Sequence, residues 1–255
     1  METRNEQGIL AAENVIEISH LKKTFGTKEV LKDITLKLKR GESLVVLGKS
    51  GTGKSVLIKC IVGLIQPDSG DLNVLGQKVQ ELDNTQLDNL RTKIGFLFQS
   101  GALYDSMTVR ENLEFPLERH LKGQSSAQIT ELVEEALENV GLKDAINKMP
   151  SELSGGMRKR ISLARTLIMK PDIMLYDEPT TGLDPITSKE ISYLILEMQK
   201  KYNTSSIIIT HDMPCAKITA NRVAILKEGI YLAEGTYDEL EKSEDPWIRS
   251  FFENN

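Results

Sequence analysis

Residues 44–62 read LVVLGKSGTGKSVLIKCIV and place an apolar run, a glycine-rich segment and a second apolar segment in a fixed order. The first run predicts a buried β-strand, and the last predicts a helix. The spacing Gly-x-x-x-x-Gly-Lys-Ser is typical of a phosphate-binding loop, because glycines let backbone N–H groups close around an anion and the helix N-terminus adds positive potential. The sequence therefore predicts that this chain binds a nucleoside triphosphate.

Two side chains of this loop have distinct predicted roles. We expect Lys54 to reach the β- and γ-phosphates and the Ser55 hydroxyl to ligate Mg²⁺. The residues predicted to contact the nucleotide here are Gly48, Lys49, Ser50, Gly51, Thr52, Gly53, Lys54 and Ser55.

The composition limits the function classes. The chain has 255 residues, of which 40% are apolar and 27% charged, so it can form one large domain or a core with a subdomain. Its net charge of −5 argues against the broad basic face of a nucleic-acid binder. Cys60 and Cys215 share no metal or redox spacing, which fits reduced thiols and the cytoplasm. No apolar run approaches the ~20 residues of a membrane span.

The first half of the chain predicts strands followed by helices. Alternating apolar residues predict two strands within residues 14–39, and further strands at 71–76 and 94–98. A capping box at Thr108 predicts a helix from Val109 to Arg119, which Pro116 should kink or shorten. A 3.6-residue apolar stripe predicts a packed helix over 126–140.

The second half alternates strands and helices. We expect a strand over 173–177, a helix from Asp184-Pro185 to about Lys201, a buried strand over 206–210 and a closing hairpin over 222–233. Such alternation predicts a largely parallel sheet with helices on both faces.

Two further stretches suggest chemistry. Asp177 and Glu178 end an apolar strand, and neighbouring strand residues point to opposite sides, so Asp177 could serve Mg²⁺ and Glu178 an attacking water. The alternative is a solvated acidic pair, which the following residues 179–184, PTTGLD, disfavour. Residues 153–157, LSGGM, open an apolar-striped helix; they offer a hydroxyl, backbone N–H groups and the helix dipole to a phosphate, or serve merely as a helix cap.

Together these residues resemble the ATP-binding cassette (ABC) family of transporter ATPases over residues 14–240. Residues 48–55 look like its Walker A loop, Gln99 its Q-loop, residues 153–157 its signature sequence and residues 173–178 its Walker B strand. Leu183-Asp184 resembles the D-loop, His211 the switch histidine, and Phe25 falls where the family usually places a tyrosine that stacks on adenine.

The resemblance implies the ABC ATPase fold. This is an α/β P-loop NTPase (RecA-like) core with an antiparallel β subdomain and an inserted helical subdomain. The expected boundaries are a polar N-terminal tail at 1–13, one ATPase domain at 14–240 with the helical subdomain at about 100–160, and a C-terminal tail at 241–255 that forms a short helix.

The resemblance also implies a mechanism with ATP and Mg²⁺ as cofactors. Two cassettes would dimerise head to tail, each ATP lying between the Walker A loop of one chain and the signature helix of the other. The implied catalytic residues are Glu178, His211, Lys54 and Gln99. The implied Mg²⁺ ligands are Ser55, Gln99 and Asp177. The nucleotide contacts implied beyond the phosphate loop are Phe25, Ser154, Gly155, Gly156 and Asp184.

Two local features narrow the resemblance. Met157 stands where most importers of the family have glutamine, and residues 100–117 read SGALYDSMTVRENLEFPL. Both are similar to the ATPase subunit of MCE-type, Mla-like phospholipid transporters. This implies a homodimer on the cytoplasmic face of the inner membrane, membrane permease subunits, an MCE-domain lipid-binding partner and no nucleic acid. Two alternatives remain open: the ATPase of another ABC importer or exporter, and a soluble nucleotide-dependent switch on a ribosome or repair complex.

Overall fold

The computed structural model describes residues 14–49, 51–121 and 123–253. The predicted N-terminal tail and the loop residue Ser50 lie outside the described residues. The strands are β1 (Asn14–Phe25), β2 (Lys28–Lys39), β3 (Ser43–Leu47), β4 (Ser69–Val74), β5 (Gln77–Lys78), β6 (Ile94–Leu97), β7 (Ile173–Asp177), β8 (Ser205–Thr210), β9 (Arg222–Lys227) and β10 (Ile230–Gly235). The helices are α1 (Lys54–Ile61), α2 (Asn84–Arg91), α3 (Val109–His120), α4 (Ser126–Asn139), α5 (Gly155–Leu167), α6 (Pro185–Tyr202), α7 (Met213–Thr219), α8 (Tyr237–Glu241) and α9 (Pro246–Glu253).

In the described part of the chain, the strands form one sheet in the order β5-β4-β1-β2-β10-β9-β3-β8-β7-β6. Strands β9, β3, β8, β7 and β6 run parallel to one another, as the alternation of strands and helices predicts. The carboxyl ends of these strands therefore meet at one edge, which is where open α/β sheets bind ligands.

The remaining strands form the lateral part of the sheet and pair antiparallel, except for the single parallel contact between β10 and β2. Strands β1 and β2 are each 12 residues long, longer than the alternation predicts. Their pairing contains register shifts, and His20 adopts a left-handed backbone with φ of 53°. Such irregularities break the period-two pattern, which is why the sequence predicts only the regular parts of these strands.

The core lies on both faces of the parallel strands. Along β3, Val45 and Leu47 belong to one buried cluster, and Leu44 and Val46 to the other. Strand β8 divides in the same way, because successive side chains of a strand point to opposite faces. Burial on both faces explains why these strands are continuous apolar runs.

Helix α3 contradicts one of the two expected effects of Pro116, the shortening of the helix. The helix continues through Pro116 to His120 and is not shortened at that residue. A proline removes one backbone donor and crowds the preceding turn. Leu113 and Leu117 are fully buried on either side of it, and the packing of these side chains offsets that local cost.

Asn112 of α3 organises the loop before this helix. Its side chain is fully buried, and its Nδ2 donates to the carbonyl oxygens of Tyr104, Met107 and Thr108 at 3.0–3.1 Å. Its Oδ1 accepts from the Tyr104 N–H at 2.8 Å. The Thr108 and Tyr104 carbonyl oxygens also accept from the Asn112 and Met107 N–H groups. The Asn112 side chain therefore adds a second set of hydrogen bonds that ties the loop to the start of α3.

We expect Asn112→Leu to lower the free energy of unfolding by about 2–4 kcal/mol, because it removes four side-chain hydrogen bonds to the loop and leaves the Tyr104 N–H and the Met107 carbonyl oxygen without this partner. Chemical denaturation measures this change. The matched control is Asn89→Leu at an exposed position of α2, which should stay within about 0.5 kcal/mol of wild type. Equal stabilities of the two variants would contradict the role of Asn112.

Candidate active site

Loops from four neighbouring strands converge at the carboxyl edge of the parallel sheet. They follow β3, β6, β7 and β8 and surround a cavity of about 520 Å³. The lining residues are Lys28, Val30, Lys49, Gly51, Gly53, Lys54, Ser55, Val56, Gln99, Asp177, Glu178, Thr181 and His211. The structure thus brings the predicted phosphate loop, Gln99, the carboxylate pair and His211 together.

The glycine-rich loop is shaped to leave backbone donors free. Gly53 precedes α1 with φ of 102°, and no side chain caps the helix start. Most other helices in the described part of the chain begin at a residue whose side chain accepts from the first turn, as Ser125 does for α4. A Cβ at Gly53 would lie 2.8 Å from the Val30 carbonyl oxygen, so the position requires glycine. The free N–H groups and the helix dipole suit a phosphate.

Lys54 carries a positive charge into this loop. Its side chain is buried, and its Nζ donates to the carbonyl oxygens of Gly48 at 2.6 Å and Lys49 at 3.1 Å. Burial lowers the pKa of Lys54, while the Glu178 and Asp177 carboxylates act in the opposite direction. The ammonium therefore sits between an anion-binding loop and two carboxylates.

Ser55 and Asp177 form a pair of oxygen donors beside Lys54. The Ser55 hydroxyl donates to Asp177 Oδ1 at 3.1 Å, and Gln99 lines the same cavity. Burial raises the pKa of Asp177, the Ser55 hydrogen bond opposes this, and the Glu178 charge raises it further. Hydroxyl, amide and carboxylate oxygens are ligands that Mg²⁺ prefers, so these residues fit the predicted metal.

Glu178 and His211 are in direct side-chain contact at the wall of the cavity. Glu178 has a left-handed backbone with φ of 51°, and its N–H donates to the Ile209 carbonyl oxygen at 2.8 Å. His211 Nδ1 and Glu178 Oε2 are 2.8 Å apart. Only 14% of the Glu178 side chain is exposed, against 67% for His211. A sparsely populated backbone conformation held by the sheet edge is a common feature of functional residues.

The predicted signature residues lie at a different cavity, of about 390 Å³. Its lining residues are Ser154, Gly155, Gly156, Met157, Arg160, Gly182, Leu183, Asp184, Thr187 and Glu190. None of them lines the first cavity. The Ser154 hydroxyl accepts from the Met157 N–H at 3.2 Å, and Asp184 caps α6. Within the described residues of one chain, Ser154, Gly155, Gly156 and Asp184 are therefore not brought to Lys54.

Phe25 is not part of the cavity wall. The residue is 48% exposed at the end of β1, and its ring centroid lies 5.3 Å from the Lys23 ammonium. The wall includes four residues that the sequence analysis missed, Lys28, Val30, Val56 and Thr181. Thr181 lies in the PTTGLD stretch, whereas Lys28 and Val30 reach the site only through the β1–β2 hairpin and carry no local signal.

The fold and this site define the class of the protein. Strand β3 lies between two parallel strands and leads into a glycine-rich loop. The loop is followed by a buried lysine and by a serine that is hydrogen-bonded to an aspartate. This arrangement defines a P-loop nucleoside triphosphatase.

Comparisons with known proteins give the family. The sequence model of the ABC transporter family matches residues 31–181. The chain is 39% identical over 236 residues to the probable ribonucleotide transport ATP-binding protein mkl of Mycobacterium leprae, covering 92% of this chain and 68% of that protein. It is 36% identical over 239 residues to the intermembrane phospholipid transport system ATP-binding protein MlaF of Haemophilus influenzae, and the match covers 94% of this chain and 90% of that protein.

A solved dimeric structure of the ATP-binding cassette MJ0796, in a post-hydrolysis state with ADP and Pi, superposes with a TM-score of 0.80 at 31% identity. The match covers 87% of this chain and 98% of that one. The chain therefore belongs to the ABC transporter family, with the fold and family that the motifs predict. It is an ATP-binding subunit and an ATPase, and cassettes of this family form dimers and work with membrane permease subunits. Among the described residues, no helix has the length and apolar character needed to cross a membrane.

Proposed function

We propose that this chain hydrolyses Mg²⁺-ATP to power an ABC transporter that moves phospholipid or a related hydrophobic substrate between membranes. The observation that carries the ATPase chemistry is the convergence of Lys54, Asp177, Glu178 and His211 on one cavity beside a loop with free backbone donors. The other proposed roles follow from where each side chain lies.

Lys54 and the loop residues Gly48 to Ser55 bind the phosphates, and Ser55, Gln99 and Asp177 hold Mg²⁺. When bound there, Mg²⁺ would supply positive charge to neutralise the phosphates. Glu178 polarises the attacking water. His211 holds Glu178 through the 2.8 Å contact, and in the nucleotide-bound state it would contact the γ-phosphate.

The proposed catalytic unit is a homodimer. One chain holds the phosphate loop at one cavity and Ser154, Gly155, Gly156 and Asp184 at another, so each chain supplies two different halves of a site. Head-to-tail pairing joins them: the N-terminus of α5 directs its N–H groups and dipole at the partner's nucleotide. Phe25 stacks on the adenine as a minor contact. The cassette spans 14–240, with the helical subdomain at about 100–160 and a short C-terminal tail.

Similarity to MlaF supports the lipid cargo, because that match extends over most of both chains. We therefore place the chain at the cytoplasmic face of the inner membrane, with permease subunits and an MCE-domain lipid-binding protein as partners. A second candidate is another ABC transporter, favoured by the similarity to mkl, whose name assigns ribonucleotide transport. This chain spans about two thirds of that relative's length.

Affinity purification of a tagged Glu178→Gln chain tests the cargo. The chain is recovered from detergent-solubilised native membranes in ATP and Mg²⁺, and proteins and lipids are identified by mass spectrometry. A permease, an MCE-domain protein and bound phospholipid support the lipid proposal, provided that the wild-type chain in ADP retains less of them. Recovery of a permease from another transport system would assign a different substrate and leave the ATPase role intact. Recovery of ribosomal or repair proteins without any permease would overturn the transporter role.

A further inference from the structure

A single lysine of α5 joins this helix to the main chain of Gln99. Lys159 Nζ donates a hydrogen bond to the Gln99 carbonyl oxygen, 60 residues away in sequence. The Gln99 side chain lines the nucleotide cavity. One residue of the first cavity is thus fixed by a helix that begins beside the second.

The loop that continues from Gln99 to Ala102 packs against the same helix. Arg165 Nη1 donates to the Ala102 carbonyl oxygen at 2.8 Å. A Cβ at Gly101 would lie 2.5 Å from Ser162 Oγ, so the loop backbone runs directly against α5. Residues 159, 162 and 165 recur at three-residue spacing and therefore lie on one side of the helix. The first part of the loop is therefore held against α5 at Gln99 and at Ala102, and Lys159 holds the residue that lines the nucleotide cavity.

Lys159 is an unusual residue to find in this place. Only 7% of Lys159 is exposed. Burying an ammonium group costs free energy unless the charge is paired and hydrogen-bonded. Burial lowers its pKa, whereas the charges of Asp177 and Glu178 act in the opposite direction. A methionine would fill a similar volume without that cost. Packing alone therefore does not account for a lysine here.

We propose that Lys159 is a positioning residue for ATP hydrolysis: its ammonium fixes the Gln99 main chain so that the Gln99 side chain stays at the nucleotide cavity. The same contact ties Gln99 to α5, whose first turn follows Ser154 at the second cavity. Binding of the partner's nucleotide at Ser154 then acts, through α5 and Lys159, on the position of Gln99 in the same chain. This inference rests on the proposed role of Gln99.

The first test is Lys159→Met, with Lys200→Met at an exposed site of α6 as the matched control. We expect kcat for Mg²⁺-ATP hydrolysis to fall about 10- to 100-fold, the cost of a small displacement of a positioned group. Binding of ATP in EDTA should stay within about 2-fold of wild type, since Gln99 acts through the metal and water. The Tm should change little, because removal of a buried charge offsets the loss of the donor to the Gln99 carbonyl oxygen. A wild-type kcat in Lys159→Met would overturn the inference.

A double-mutant cycle with Gln99→Ala separates positioning from general damage. If Lys159 acts through Gln99, Lys159→Met should lower kcat by less than about 2-fold in the Gln99→Ala background. Lys159→Arg, which keeps a cationic donor, should recover part of the lost rate. Full additivity of the two substitutions overturns the role of Lys159 alone. An unchanged rate in Gln99→Ala overturns the proposed role of Gln99, and this inference with it.

Discussion

We expect Glu178→Gln to hydrolyse ATP about 10²- to 10⁴-fold more slowly than wild type, the range that a positioned general base contributes. The substitution keeps the size of the side chain and removes its charge. Glu178 is largely shielded from solvent and lies 2.8 Å from His211, so an amide fits the same space but cannot accept a proton from water. Steady-state phosphate release at saturating Mg²⁺-ATP gives the rate.

The same variant should bind ATP as wild type does, because Lys54 and the loop amides are unchanged. With hydrolysis blocked, the ATP-bound dimer should accumulate, since loss of the γ-phosphate is the event that releases such switches. Size-exclusion chromatography in ATP and Mg²⁺ measures this. Glu131→Gln, at an exposed position of α4, is the matched control and should hydrolyse ATP normally and show no accumulation. Rapid turnover by Glu178→Gln would remove Glu178 from the proposed mechanism.

The parallel part of the fold follows directly from the sequence. Strands β3, β7 and β8 are buried on both faces and read as continuous apolar runs, and the motifs follow the ends of these strands. Because parallel strands end at one edge, the order of motifs along the chain is enough to predict that they meet. This is why the carboxylate pair and five residues of the phosphate loop line one cavity, although the described loop residues Gly48 and Thr52 are not in its wall.

The antiparallel part and the loop contacts are less visible in the sequence. Register shifts in the β1–β2 hairpin obscure the alternation, so the reach of Lys28 and Val30 to the cavity is not encoded in any local pattern. Helix α2 was missed although Asp83 and Gln86 form a capping box at its start. The contact between Lys159 and Gln99 joins residues far apart in sequence, and only the packing of α5 against the loop reveals it.

Lys54→Met should weaken ATP binding by about 10- to 100-fold, because it removes a charge-assisted hydrogen bond of about 1.5–3 kcal/mol to the phosphates. In the free protein, Lys54 Nζ already donates to the Gly48 and Lys49 carbonyl oxygens. The ammonium is therefore held at the loop before the nucleotide arrives, and little ordering remains to be done on binding. Isothermal titration with ATP, with and without Mg²⁺, gives the dissociation constants.

Thermal unfolding provides a second readout of the same change. At an ATP concentration 100 times the wild-type Kd, binding stabilises the wild-type chain by about 2.7 kcal/mol, whereas a variant with 100-fold weaker binding gains only about 0.4 kcal/mol. The ATP-dependent rise in Tm should therefore nearly vanish in Lys54→Met and persist in Lys200→Met. An undiminished rise in Lys54→Met would show that Lys54 serves the loop carbonyls alone, and the phosphate contacts would then have to come from the backbone of the loop.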